Sequence, residues 1–307
     1  MAEFNWYLRT KMLLSLKRNT AKFYERYGVF GGGLPSDEKY KSEIKALRKS
    51  IIGGNHLFIE HFELIITTKC SLNCKRCSNL MPEYRKRQTA YFRDKEDILK
   101  EIDALADSVD EILNCRILGG EPLLHPDLPE ILSYLFEKKN IGSIHIITNG
   151  TIIPNETLLD VMKNERLLVI FSDYGKLSRN LTSCSELLKK EGIKCSTDVV
   201  LKWSDLGDLA QRKASQKDLI RQRKNCKFCC KTYLNGRLYL CPRSAFATDL
   251  NYFDYPNDYV DIHKLDYSEK RKRIAELLYH KKYLLACAHC LAGTSMAIPI
   301  QPGEQDI

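Results

Sequence analysis

The chain has 307 residues, 44% hydrophobic and 28% charged, with a formal net charge of +9 and twelve cysteines. That composition argues against a disordered chain and supplies enough apolar material for a sizeable core. No run of eighteen apolar residues occurs, and residues 1–20 mix Arg and Lys into their apolar positions, so neither a membrane span nor a secretory leader is expected and the expected compartment is the cytoplasm. The basic residues are scattered, which points to a solvated surface and is compatible with an anionic small-molecule substrate; no nucleic-acid module is visible. In a reducing compartment, grouped cysteines are better explained as metal ligands than as disulfides.

Trp6, Leu8, Met12, Leu13, Leu16 and Phe23 fall near helical spacing among basic residues before Gly31-Gly32-Gly33 and Pro35 break the pattern. A second helical stretch covers 37–50 and stops at Gly53-Gly54, so residues 1–57 read as an N-terminal helical extension. From Phe58 the rhythm changes to β-rich runs at 62–68, 111–118, 143–148, 167–172 and 194–199, alternating with helical stretches such as 95–106, 128–138 and 156–163. Asp94 is placed to cap the first of these helices. Strands separated by helices build a parallel sheet whose ligands sit at the carboxyl ends of the strands. Residues 58–205 are expected to form that α/β domain, 206–225 a polar helical connector, and 226–307 a separate small domain carrying half of the cysteines.

Directly after the first strand comes Cys70-Ser-Leu-Asn-Cys74-Lys-Arg-Cys77. Three thiolates hold three irons of a [4Fe-4S] cube and leave the fourth open, whereas an electron-transfer cluster normally has four protein ligands. A zinc site completed by His61 or a downstream residue is the structural alternative. The second strand ends in Gly119-Gly120-Glu121-Pro122 and the third in Thr148-Asn149-Gly150.

With these motifs in this order the sequence resembles the radical SAM superfamily, whose signature is Cys-x3-Cys-x2-Cys on the loop after the first barrel strand. The resemblance implies a partial (β/α) TIM-like barrel of about five to six parallel strands. It also implies a cluster on Cys70, Cys74 and Cys77, and S-adenosylmethionine (SAM) held through its amino group by the backbone of Gly119, Gly120, Glu121 and Pro122, with Thr148, Asn149 and Ser172 nearby. Such a site cleaves SAM reductively to a 5'-deoxyadenosyl radical and takes its electron from an external donor such as flavodoxin or ferredoxin. One departure is Arg76, where the family commonly has an aromatic residue near the adenine.

Cys226-x9-Gly236-x4-Cys241 followed by Cys287-Ala-His-Cys290 resembles the twitch module, a shortened SPASM domain holding one auxiliary [4Fe-4S] cluster. Cys226, Cys241, Cys287 and Cys290 match its spacing best, with Cys229 and Cys230 as competitors for Cys226 and a four-cysteine zinc site as the alternative. Leu238 and Tyr239 fit a hairpin strand with Gly236 in its turn, giving a small hairpin-plus-helix domain, and His289 is expected to point outward. Cys115, Cys184 and Cys195 are left as buried small hydrophobes or hydrogen-atom donors. Asp173, after the fourth strand, is the candidate substrate-binding or proton-accepting residue, with a turn-forming role as its alternative. Trp203 either lines the pocket or belongs to the core. The expected reaction is oxidation of a small polar substrate, a carbohydrate or polyol. Epimerisation with a cysteine donor, peptide modification, and a non-enzymatic iron-sulfur or zinc interaction module are the alternatives.

Overall fold

The computed structural model describes residues 57–306 apart from Cys229. The helical extension expected at the N-terminus lies outside these residues, of which Leu57 is the first. In chain order the elements are β1 (Phe58–Ile59), β2 (Phe62–Thr67), α1 (Met81–Lys86), α2 (Lys95–Ala106), β3 (Glu111–Gly119), α3 (Leu128–Glu137), β4 (Ile141–Thr148), α4 (Glu156–Met162), β5 (Leu167–Asp173), α5 (Leu181–Lys190) and β6 (Cys195–Val199). There follow β7 (Trp203–Ser204), α6 (Gln216–Asn225), β8 (Lys231–Leu234), β9 (Arg237–Tyr239), α7 (Pro242–Asp249), β10 (Tyr259–Asp261), α8 (Tyr267–Ala275) and β11 (Pro299–Ile300).

One sheet runs β10-β9-β8-β2-β3-β4-β5-β6, with short β1 beside β3. Neighbours from β8 through β2 to β6 are parallel, so six parallel strands make the partial barrel. The five expected strands and the helices between them appear within a few residues of their expected bounds. Because side chains alternate along a strand, each strand feeds two environments. Phe62, Leu64 and Ile66 of β2 and Cys115 and Ile117 of β3 pack with Ile98, Ile102, Leu128, Ile131 and Leu135 of the covering helices. Ile65 instead joins a second cluster with Leu80, Met81, Tyr84 and Phe246, beside the cysteine loop. Each fully buried aliphatic side chain contributes roughly 1.5–3 kcal/mol.

Two expectations for the second half of the chain need correction. The hairpin β8–β9 does turn at Asn235-Gly236, both residues with positive φ (49° and 73°) as a type I' turn requires. It does not stand apart, however: β8 pairs in parallel with β2, Phe62 opposite Lys231, and thereby covers an edge that would otherwise present unpaired backbone. The connector is helical only from Gln216, where Ser215 and Asp218 form a capping box. Residues before it are taken into other contacts, since Asp208 accepts from the Ala210 N–H, Leu209 is left-handed, and the Arg212 N–H donates to Ala288 O.

The Asp249 carboxylate in α7 accepts from Tyr84, Tyr91 and Asn235 at 2.6, 2.9 and 2.7 Å, which docks α7 on α1. Since α1 follows Cys77 and α7 follows Cys241, this contact brings the two cysteine-bearing regions together. At the start of α2, Asp94 accepts from the Asp97 N–H at 3.2 Å, as expected of its cap. Asp94→Ala is expected to lower stability by about 1 kcal/mol, read as a lower urea midpoint with an unchanged slope.

Candidate functional site

The loop carrying Cys70, Cys74 and Cys77 leaves β2 and is met at once by the segment leaving β3. The Gly120 N–H donates to Thr67 O and the Glu121 N–H to Lys69 O, each at 2.9 Å. A Cβ at Gly119 would lie 2.0 Å from Thr67 O and one at Gly120 2.1 Å from Lys69 O, so only glycine lets the two backbones cross here. Asn79 donates to Gly119 O at 3.1 Å and Arg85 to Cys70 O at 2.8 Å, fastening the loop from its far side.

Glu121 is fully buried. Its Oε1 accepts from the Leu123 N–H (3.1 Å) and Thr148 Oγ1 (2.8 Å), and its Oε2 from the Asn149 N–H (2.8 Å). One carboxyl group thus ties the end of β3 to the end of β4. Asn149 passes the connection back to the cysteine loop, donating to Ser71 Oγ at 3.0 Å and to Cys70 Sγ at 3.8 Å. Burial pushes the Glu121 carboxyl up to about 7 despite these three donors.

A cavity of about 170 Å³ opens above these strand ends. It is lined by Cys70, Cys74 and Cys77 together with Gly119, Gly120, Thr148, Asn149 and Ser172, all of them anticipated from sequence. Glu121 and Pro122 support this surface from beneath rather than forming it. Trp203 lines the cavity with Tyr174, their rings 5.7 Å apart and edge to face. Asp173 does not. Its carboxylate accepts from the Gly175 N–H at 2.8 Å, the turn-forming role named as its alternative, and the next residue supplies the cavity's polar ring. Arg76 is left-handed (φ 59°) and turns toward Asp205, 3.6 Å away.

A second cavity is lined by Cys226, Cys241, Cys287 and Cys290, the four best matches to the expected spacing. The Cys230 thiol is turned instead toward the Glu63 carboxyl, and Cys229 lies outside the described residues. Around the four, the Arg212 Nη2 donates to Gln222 Oε1 and to the carbonyls of Cys287 and Cys290, and Gln222 donates to Cys290 O. His289 is not directed outward: it is buried against Phe253 at 4.4 Å between ring centroids. Its Nδ1 donates to Leu209 O at 2.8 Å, leaving Nε2 to accept from the Tyr255 hydroxyl at 2.9 Å, so neither nitrogen is open to a metal.

Residues 64–202 match the Radical SAM superfamily. The chain carries a radical SAM domain. Members of this superfamily use a [4Fe-4S] cluster and SAM. Among curated proteins, the chain is similar to the GTP 3',8-cyclase of Aliarcobacter butzleri, 27% identical over 58% of this chain and 54% of that protein. It is also similar to the probable GTP 3',8-cyclase of Methanococcus maripaludis, 35% identical over 31% of this chain and 30% of that protein. The chain therefore spans about half or less of the length of these relatives. Among solved structures, BtrN in complex with AdoMet and 2-DOIA aligns over 81% of this chain and 97% of that one, with 16% identity and a TM-score of 0.41.

The residues around both cysteine sets fit iron-sulfur clusters. Burial pushes Cys70 and Cys241 up to about 12 and Cys287 to about 11, and raises Cys74 and Cys77 as well, so without iron these thiols stay protonated. Arg243 lines the second cavity and also the neighbouring one that reaches Cys77. Its guanidinium is buried, its Nη2 donates to Gly207 O, its Nε has no partner, and no carboxylate lies within 4 Å among the described residues. An anionic cluster with thiolate ligands is the counter-charge such a group needs.

The raised Glu121 carboxyl has a consequence for the radical SAM domain's stability. A folded-state value of about 7 against an ordinary 4.5 means that the folded chain holds this proton more tightly, so stability falls as pH rises from about 4.5 to 7. Glu121→Gln is expected to flatten that part of the stability-pH curve, measured by urea unfolding of the cluster-free protein at pH 5, 6, 7 and 8.

Proposed function

We infer that Cys70, Cys74 and Cys77 hold a SAM-binding [4Fe-4S] cluster, that Cys226, Cys241, Cys287 and Cys290 hold an auxiliary one, and that the enzyme oxidises a small polar substrate. The observation that carries this reading is the adjacency of the two cavities: Ser78, next to Cys77, lines both. Bound at the first site, the cluster and SAM supply one-electron cleavage of a sulfur–carbon bond and a 5'-deoxyadenosyl radical.

The chain's own residues contribute position and charge. Gly119, Gly120, Thr148, Asn149 and Ser172 shape the cavity that would receive SAM, with Thr148 and Asn149 held in place by their bonds to Glu121. Tyr174 and Trp203 offer the aromatic surface for adenine that Arg76 lacks. Arg243, between the two cysteine sets, stabilises electron density on either side.

Oxidation is favoured over epimerisation because none of Cys115, Cys184 and Cys195 lines the first cavity, where a hydrogen atom would have to be returned. Cys115 and Cys184 are buried in the core behind the sheet, where the Cys184 thiol donates to Ile152 O at 3.2 Å, and Cys195 packs against that core with its sulfur 3.9 Å from Ser185 Oγ. None of the three lines the cavity. An auxiliary cluster held by Cys226, Cys241, Cys287 and Cys290 would accept the electron that the substrate radical loses together with a proton to solvent, and an external one-electron donor of the flavodoxin or ferredoxin type would supply the separate electron consumed in cleaving SAM. A carbohydrate or polyol is the substrate class proposed.

Two measurements check this reading. Anaerobically reconstituted protein is expected to contain about eight irons, falling to about four when Cys70, Cys74 and Cys77 are all changed to Ala; about four irons accompanied by zinc in the wild type would remove the auxiliary cluster and the oxidation route with it. The second uses a substrate found by screening polyols and aminosugars for release of 5'-deoxyadenosine. Its product formed in deuterated water is expected to carry no new carbon–deuterium bond, whereas deuterium at the attacked carbon would show epimerisation.

A further inference from the structure

The segment 299–306 returns across the radical SAM domain and closes on the cysteine loop. β11 pairs antiparallel with β7, Ile300 opposite Trp203, at the rim of the first cavity. Pro302 and Gly303 are buried, and a Cβ at Gly303 would stand 2.9 Å from Leu177 and 3.5 Å from Tyr174, so the segment is seated against the aromatic wall of that cavity. It then forms a short antiparallel ladder with the cysteine loop. The Lys75 N–H donates to Glu304 O at 2.6 Å, the Asp306 N–H to Asn73 O at 2.7 Å, and the Asn73 side chain to Asp306 O at 2.7 Å. Lys75 and Glu304 also pair across it at 2.9 Å.

Inside this ladder Gln305 stands opposite Cys74. Its amide makes three contacts: Oε1 accepts from the Asn73 N–H at 2.8 Å, and Nε2 donates to Gly303 O at 2.6 Å and to Cys74 Sγ at 3.2 Å. Two of these settle which end of the amide is nitrogen without reference to the sulfur. A backbone N–H has to meet the oxygen and a backbone carbonyl has to meet the nitrogen. The second hydrogen of Nε2 is then left with one acceptor, the sulfur of Cys74.

We propose that Gln305 is a positioning residue for the SAM-binding cluster, holding an N–H against the Cys74 ligand sulfur and thereby raising the cluster's reduction potential. This rests on the reading of Cys74 as a cluster ligand. Reduction adds negative charge that spreads onto the ligand sulfurs, and an N–H dipole aimed at one of them favours the reduced state. The ladder supplies the rigidity, so the donor is in place before the electron arrives.

The test compares wild type, Gln305→Met and Gln305→Glu, each anaerobically reconstituted, by EPR-monitored redox titration of the cluster signal that changes on adding SAM. Met keeps the length and neutrality of the side chain but has no donor. Glu keeps the acceptor for Asn73 and replaces the donor with negative charge. Both variants are expected to hold as much iron as wild type and to titrate at lower potential, with Gln305→Glu lower than Gln305→Met. A Gln305→Met midpoint equal to that of wild type, or loss of its iron, overturns the proposal, the second because it would make Gln305 a residue of cluster retention. A wild-type protein with no SAM-responsive cluster signal would instead refute the assignment of Cys70, Cys74 and Cys77.

Discussion

The crossing of 67–70 over 119–121 is the constraint on which the rest of the site depends. Parallel neighbours leave a sheet in the same direction, and their continuations would normally diverge into loops of independent shape. Here two glycines let the backbones exchange hydrogen bonds at 2.9 Å beyond the end of the ladder, so the cysteine loop inherits the register of β2 and β3. Glu121 extends that register to β4 by accepting from Thr148 and Asn149. A buried carboxyl is costly on its own. Three donors from two segments offset much of its desolvation, and leaving them unmet would cost about 1–3 kcal/mol each. The carboxyl therefore acts as a clamp, with the cavity on its far side.

Charge imposes a second condition. Burial raises the thiols of Cys70, Cys74, Cys77, Cys241 and Cys287, while Arg243 is a buried cation with no carboxylate within 4 Å among the described residues. Each feature would relieve the other if, as proposed, the thiols become thiolates on iron; metal binding would then release protons, and its free energy would become folding free energy for the loops concerned. His289 shows the opposite design. Both of its nitrogens are spent on Leu209 and Tyr255, so this imidazole between Cys287 and Cys290 has no nitrogen left for a metal.

What the sequence made legible was local. The alternation of β2, the cap at Asp94, the Asn-Gly turn and the spacing of both cysteine sets are each written within a few consecutive residues, and the structure assembles the cysteines of each set around its own cavity. The readings that needed correction each depended on a partner far along the chain. Residues 208–215 have helix-compatible composition, but Arg212 is drawn to Ala288, Cys287 and Cys290. The hairpin looked like the core of a separate unit because nothing within it reveals that β2 has an open edge. Asp173 and Tyr174 are adjacent, and only the turn that Asp173 makes with Gly175 decides which of the two faces the cavity. Gln305 carried no signal at all, since its contact with Cys74 spans 231 residues.

That long separation also bears on how the site is completed. By loop-closure entropy, joining residues 231 apart costs only about 3 kcal/mol more than joining residues ten apart, because the cost grows with the logarithm of length. The ladder between 304–306 and 73–75 has few hydrogen bonds, each contributing about 1 kcal/mol net, so on its own it is a weak tether. The pairing of β11 with β7 and the burial of Pro302 and Gly303 tip the balance, and both require the barrel and the rim of its cavity to be formed already. The same segment runs along one side of the cysteine loop and points a hydrogen-bond donor at the sulfur of Cys74.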